Sequence, residues 1–389
     1  MATQPRYGLV GTWLSIAALG LAVWLMAALV TFGLWNTPRA YANPLAQPTA
    51  SSIQLQWVAA TGVLALTEQN AGAAGQLTVN IRQVSPNSFL DLALPSGVFF
   101  AATSTGAGGV LTYNAGTPQT SNVATIALTS ATIAMLGLDL GSGSGSAITF
   151  DTVNLPAKIK AIDIKSSGVL TVTKMAASQM ISANVGLIAS GSPGTPNVIV
   201  PTVQMSGTYG VGAAGKPLGT QVSIMETNAY TGSIYLANLG DLRIGISNTN
   251  GISKTNLYPG VQVLATTGNY VIDLQATGTI SMPLISDTIK APGMITVTAD
   301  RFEGACMIVG TNLPAIGSIN GSVSLTTTGD ILLGAYRNNL RYYSDITGKG
   351  VTLESVNGSI IIDYVTYITS TGGPLNIKAK NAIRVLKSG

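Results

Sequence analysis

The 389-residue chain carries charge on only 9% of its side chains, holds one cysteine, Cys306, and has no histidine. Those absences exclude Ser-His-Asp and Cys-His catalytic arrangements, histidine-built metal centres, intramolecular disulfides and Cys/His zinc sites. The net charge of +4 comes from scattered basic residues, without the basic face and interleaved aromatics that nucleic-acid binders show, so no nucleic-acid partner is expected.

The first element is apolar. From Gly8 to Trp35 no side chain is charged, and Arg6 and Arg39 flank the stretch. A helix needs about 20 apolar residues to cross the hydrocarbon core, so this segment predicts a transmembrane signal-anchor. Trp13 and Trp24 lie along it, and Trp35 stands where an interfacial aromatic would sit. The triplet Ala40-Tyr41-Ala42 offers a second reading, a signal peptide cleaved after the small residues Ala40 and Ala42 and released as a secreted chain from Asn43. Residues 1–42 are therefore a membrane-targeting segment, and 43–52 a linker. Both readings place the bulk of the chain at the cell surface or outside the cell.

Beyond the linker the chain is rich in Gly, Ser, Thr and Asn, yet Val, Ile and Thr recur in short bursts that disordered chains lack. Runs such as LALT at 64–67, LTVNI at 77–81, FLDLAL at 89–94, VATIALT at 123–129 and AITFDTV at 147–153 are bounded by turn residues. The series continues with KAIDIK at 160–165, VLTVTK at 169–174, QVSIM at 221–225, SIYLANL at 233–239, LRIGIS at 242–247 and VIDLQAT at 271–277. Each reads as a strand. One exception, KMAASQMISAN at 174–184, reads as a short helix. Residues 53–200 are β-rich but irregular, with breaks at GSGSGS (141–146) and SGSPGTP (190–196).

From residue 201 onward the pattern tightens, most clearly beyond Ile319. Strand starts fall near Val323, Ile331, Val351, Ile360, Val365, Leu375 and Ile383, several preceded by Gly-Ser or Gly-Asp. The stretch AYRNNLRYYSDITGK interrupts them and reads as an outward loop. Such turn-strand-turn spacing suits a solenoid, in which no coil can bury its apolar face without a neighbour. Low charge fits as well, because like charges stacked on adjacent coils would repel. The fold class is all-β, a right-handed parallel β-helix over 201–389, with tandem β-sandwich or jelly-roll domains as the alternative.

The segments GSVSLTTTGDILLGA and VTLESVNGSIIIDYV resemble the degenerate repeats of filamentous-haemagglutinin-type exoproteins, clearly over 230–389 and loosely over 60–230. That resemblance implies right-handed parallel β-helices displayed on bacterial surfaces.

No catalytic constellation, cofactor site or metal site emerges. Asp300 and Glu303 in TADRFEG, with Asp330, are the closest to a carboxylate pair for glycan cleavage, and a surface turn with a local ion pair explains them equally. The sequons at Asn320 and Asn357 are also Asn-Gly turns. Tyr342, Tyr343, Tyr364 and Tyr367 are candidates for stacking on a glycan, a host surface or a partner protein. The expected function is that of a structural or adhesive subunit that self-associates as a homo-oligomer, coat, fibre or filament. A glycan-binding or glycan-cleaving β-helix and a membrane-anchored virion or particle coat are the alternatives.

Overall fold

The computed structural model describes residues 159–386 except 246–259, 283–286, 305–315, 319–320, 338–339, 343 and 364–365; upstream it describes the backbone of eight strands between Ser52 and Thr152. The strands at 316–318, 335–337 and 340–342 are likewise described by backbone alone. The targeting segment, with Gly8, Trp13, Trp24, Trp35, Ala40 and Ala42, lies outside the described residues, as does Cys306. Among the described residues no helix is long and apolar enough to cross a membrane.

The chain is all-β, a long parallel sheet curled nearly into a solenoid. Beyond residue 230 its strands fall into three ladders, each a face of the stack. The first face takes Ile234–Asn238, Ile272–Ala276, Ile295–Ala299, Val323–Thr327, Val351–Ser355 and Leu375–Ala379, each paired in parallel with the next. The second takes Leu242–Ile244, Thr279–Met282, Arg301–Gly304, Ile331–Leu333, Ile360–Ile362 and Ile383–Val385. The third takes Gly260–Val263, Thr288–Ala291, Ile316–Ser318, Ser344–Gly348 and Thr366–Ser370. The chain visits the faces in constant order, one circuit per coil.

Period-2 alternation explains why these runs form strands and which side they bury. In Val323–Thr327 and Val351–Ser355, alternate residues are buried and the rest half-buried. In-register pairing then stacks like on like. Ile234, Ile272, Ile295, Val323 and Val351 make one column inside the stack, and Leu236, Leu274, Val297, Leu325 and Leu353 make the next, all at most 1% exposed. On the second face Leu242, Ile280, Phe302, Ile331 and Ile360 do the same. Burying each such side chain contributes roughly 1.5–3 kcal/mol.

Toward the N-terminus the cross-section changes. Between residues 133 and 207 one ladder takes Ile133–Asp139, Ile159–Lys165, Met180–Val185 and the latter part of Val198–Gly207, a second takes Ala147–Thr152, the first part of Val169–Ala176 and Leu187–Ser190, and a short third pairs Met175 and Ala176 with Val198 and Ile199. The strand Leu218–Ala229 joins this region to the three faces beyond it. Its residues 218–220 pair with Ile234–Asn238, 224–225 with Leu242–Ile244 and 227–229 with Gly260–Val263. At the N-terminal end antiparallel pairs appear, Ser52–Val58 with Val63–Glu68, and Gln76–Val84 with Asn87–Ala93, which pairs in turn with Val123–Leu128.

The corner between the first and second faces explains the Gly-Asp and Gly-Ser dipeptides. The Asp241 carboxylate accepts the Thr279 N–H of the next coil at 2.8 Å, and Asp330 accepts that of Ser359 at 2.8 Å. Gly278 and Gly358 sit where a Cβ would run into those aspartates and their neighbouring backbone. The glycine makes room for the aspartate of the coil below.

Two expectations are corrected. Residues 174–184 are not a helix: Val169–Ala176 and Met180–Val185 are strands there, paired in parallel with flanking coils. Ala, Met and Gln favour a helix locally, but two-sided ladder pairing buries Met175, Ile181 and Ala183 and overrides propensity. Within the stretch read as a loop, Ala335–Arg337 and Leu340–Tyr342 form an antiparallel hairpin, and Ser344–Gly348 is a third-face strand. That strand has a single large aliphatic, Ile346, so alternation was too sparse to announce it.

Candidate functional site

The last described coil breaks the rule that the inner columns obey. Its strands are Thr366–Ser370, Leu375–Ala379 and Ile383–Val385, and each is hydrogen-bonded to the coil below. Val351 N–H donates to Pro374 O at 3.0 Å, and Ile360 N–H donates to Ala382 O at 2.8 Å. Leu386 N–H reaches Ile362 O at 2.9 Å. The coil is therefore docked, not frayed.

On its upper side no described strand pairs with it. Leu375 continues the column of Val351, which is 1% exposed, yet Leu375 is 47% exposed. Ile383 continues the column of fully buried Ile360 and is 49% exposed, and Val385, above Ile362, is 66% exposed. Three sheet edges and an apolar cross-section thus face away from the stack together. Exposed strand edges are ready templates for pairing with another chain.

The outer rim of this coil is basic. Lys378 Nζ lies 2.7 Å from Glu354 Oε1 directly below it, and that hydrogen bond raises the Lys378 pKa above its ordinary value. Lys380 Nζ donates to Asn357 Oδ1 at 3.4 Å. Arg384 stands on the second-face strand, and Tyr367, 63% exposed, on the third. Leu375, Ile383 and Val385 lie among these basic residues and are exposed, whereas their counterparts in the coil below are buried.

Of the four tyrosines singled out, the structure places only the side chain of Tyr367. Tyr342 belongs to the hairpin by its backbone, and Tyr343 and Tyr364 lie outside the described residues. Tyr209 and Tyr230, 65% and 42% exposed, were missed; they stand in turns of adjacent coils, without a periodic signal. The structure gives the acidic candidates different partners. Glu303 pairs with Arg301 at 3.2 Å, Asp330 caps Ser359, and the Asp300 carbonyl accepts the Gly329 N–H at 2.7 Å. Among the described residues no three His, Cys, Asp or Glu side chains gather as a metal site. A groove of about 470 Å³ runs along the first corner past Ile199, Pro201, Gln221 and Leu239, and its one carboxylate, Asp241, already holds Thr279.

No family model, curated protein or solved structure matches the chain. The resemblance to haemagglutinin-type exoproteins thus keeps one structural support, the parallel coiled sheet itself.

Proposed function

We propose that this chain is an exported structural or adhesive subunit, held at the cell surface by its N-terminal segment or released, that self-associates into a coat, fibre or filament. One observation supports the reading: Leu375, Ile383 and Val385, at positions whose counterparts in the preceding coils are buried, are exposed together in the last described coil. A surface with few charges adds to it, since sparse charge weakens the repulsion that keeps proteins apart. Right-handed winding is part of the proposal, because connections between parallel strands are right-handed almost without exception. So is kinship with the β-helical surface exoproteins, which the coil architecture supports.

The test is direct. Purified full-length chain at rising concentration is expected to give ordered assemblies by electron microscopy, and solely monomeric particles at every concentration would overturn the reading.

A second reading, glycan binding, draws on Tyr209 and Tyr230, exposed on adjacent coils at one corner. Uncharged exposed rings suit stacking on sugars. Replacing both by Ala is expected to abolish retention on immobilised glycans; unchanged retention, or none by the wild type, removes this reading.

A further inference from the structure

We infer that the groove at the corner between the first and second faces binds a single neutral pyranose unit. The inference rests on the glycan-binding reading and deepens it, naming a site and a sugar class away from the corner of Tyr209 and Tyr230.

The groove is a product of register. Val198–Gly207 and Leu218–Ala229 pass this corner side by side with no residue inserted, Val200 beside Val222 and Thr202 beside Ile224. The coils on either side do not. Below, pairing stops at Ala176 with Ile199 and resumes at Met180 with Thr202, so residues 177–179 face 200–201. Above, it stops at Thr220 with Asn238 and resumes at Ile224 with Arg243, so residues 221–223 face 239–242. An extra residue bends the strand that carries it. Each flanking coil therefore forms a ledge at the corner, and the two strands between them form a recessed floor. The groove holds about 470 Å³, within the range of about 300–1,000 Å³ that small-molecule sites occupy.

The site is formed without a ligand. Where the upper ladder opens, the Asn238 amide takes its place: Oδ1 accepts the Val222 N–H at 3.0 Å, and Nδ2 donates to Val222 O at 3.2 Å. Nδ2 also reaches Gly240 O and Asp241 O, each at 3.3 Å. On the floor Pro201 has no N–H to satisfy. A preformed site binds without the cost of ordering itself.

Its lining selects the ligand. Ile199 and Pro201 on the floor and half-exposed Leu239 on the upper ledge give apolar surface for the C–H face of a sugar ring. Gln221 and Ser223, exposed on the floor, offer an amide and a hydroxyl that both donate and accept, as neutral hydroxyl groups require. The Thr279 N–H holds Asp241 through Oδ1 at 2.8 Å, so Oδ2 is an oriented acceptor for a sugar hydroxyl. One carboxylate and no cation line the groove, which disfavours phosphate, sulfate and uronate groups.

The experiment is saturation-transfer NMR of the full chain with the methyl glycosides of glucose, mannose and galactose, and with that of galacturonic acid. Retention on immobilised glycans is measured alongside. Ser223→Trp fills the groove from an exposed position, and Gln221→Ala removes a contact there without adding bulk. Both are expected to keep the wild-type β-sheet circular dichroism. At least one neutral glycoside is expected to bind and the acidic one is not. Ser223→Trp is expected to weaken binding about tenfold or more, and Gln221→Ala to weaken it less. Tyr209→Ala with Tyr230→Ala is expected to leave this binding unchanged. Preference for the acidic glycoside, or binding that survives both groove variants, would overturn the subsite. So would the absence of any glycoside binding by the wild type; the glycan-binding reading then stands if immobilised glycans still retain the chain and falls with the subsite if they do not.

Discussion

Asp241 and Gly278 show how single residues hold successive coils in register. A carboxylate from one coil captures a backbone N–H of the next, and a glycine in the next coil makes space for it. Gly278→Ala forces a methyl into that aspartate and adjoining backbone, and overpacking of this kind costs about 1–3 kcal/mol. Asp330→Ala removes the acceptor of Ser359 N–H, with an expected loss of about 1–2 kcal/mol. Urea denaturation of each variant checks both, and a wild-type midpoint would refute the corner device. The dipeptides were visible in the sequence as turn signals, but the partner each aspartate meets lies a whole coil away and has no local trace.

Asp345, on the last third-face strand but one, gives a pH signature. Desolvation by burial raises its pKa above the ordinary value of 3.8, and the Thr347 hydroxyl, donating at 3.0 Å, offsets this in part. The folded state therefore binds this proton more tightly than the unfolded chain. Its contribution is most favourable at low pH, and stability falls as pH rises from the unfolded pKa through the raised folded one. Asp345→Asn is expected to remove that fall in melting temperatures taken between about pH 3 and pH 7. An unchanged slope would show that another group is responsible.

At the scale of elements, columns decide what a residue is worth. Leu353 and Leu375 are both first-face leucines, one fully buried and one nearly half exposed. Leu353→Ala is expected to cost about 2–5 kcal/mol through lost burial and a cavity closed in by coils on both sides. Leu375→Ala in the unassembled chain is expected to cost about 0.5 kcal/mol or less. Equal losses by chemical denaturation would contradict the assignment of Leu375 to an open end. Most of these strands were legible because alternation of Val, Ile and Leu with Ser, Thr and Asn is a local property. Two elements were not. At Met180–Val185 the helix-favouring composition yields to pairing on both edges, and at Ser344–Gly348 one aliphatic is too few to show a period.

At the scale of the whole molecule, the sequence pointed to parallel coils from the recurrence of strand starts after Ile319, and the ladders bear out the parallel stacking. How the coils before residue 207 join the three faces beyond residue 230 was not legible. It depends on Leu218–Ala229 serving three later strands, and which strands those are is a matter of long-range register. The open end escaped notice for a related reason: Leu375, Ile383 and Val385 look like core by pattern, and only their place in the final described coil bares them. The central claim is that this end is an assembly surface. Hydrogen–deuterium exchange of the full chain, followed at the amides of residues 375–385 over a range of protein concentrations, tests it most directly. Protection there is expected to rise with concentration while that of Val323–Thr327 stays constant; exchange at the end that is fast and independent of concentration would contradict the claim.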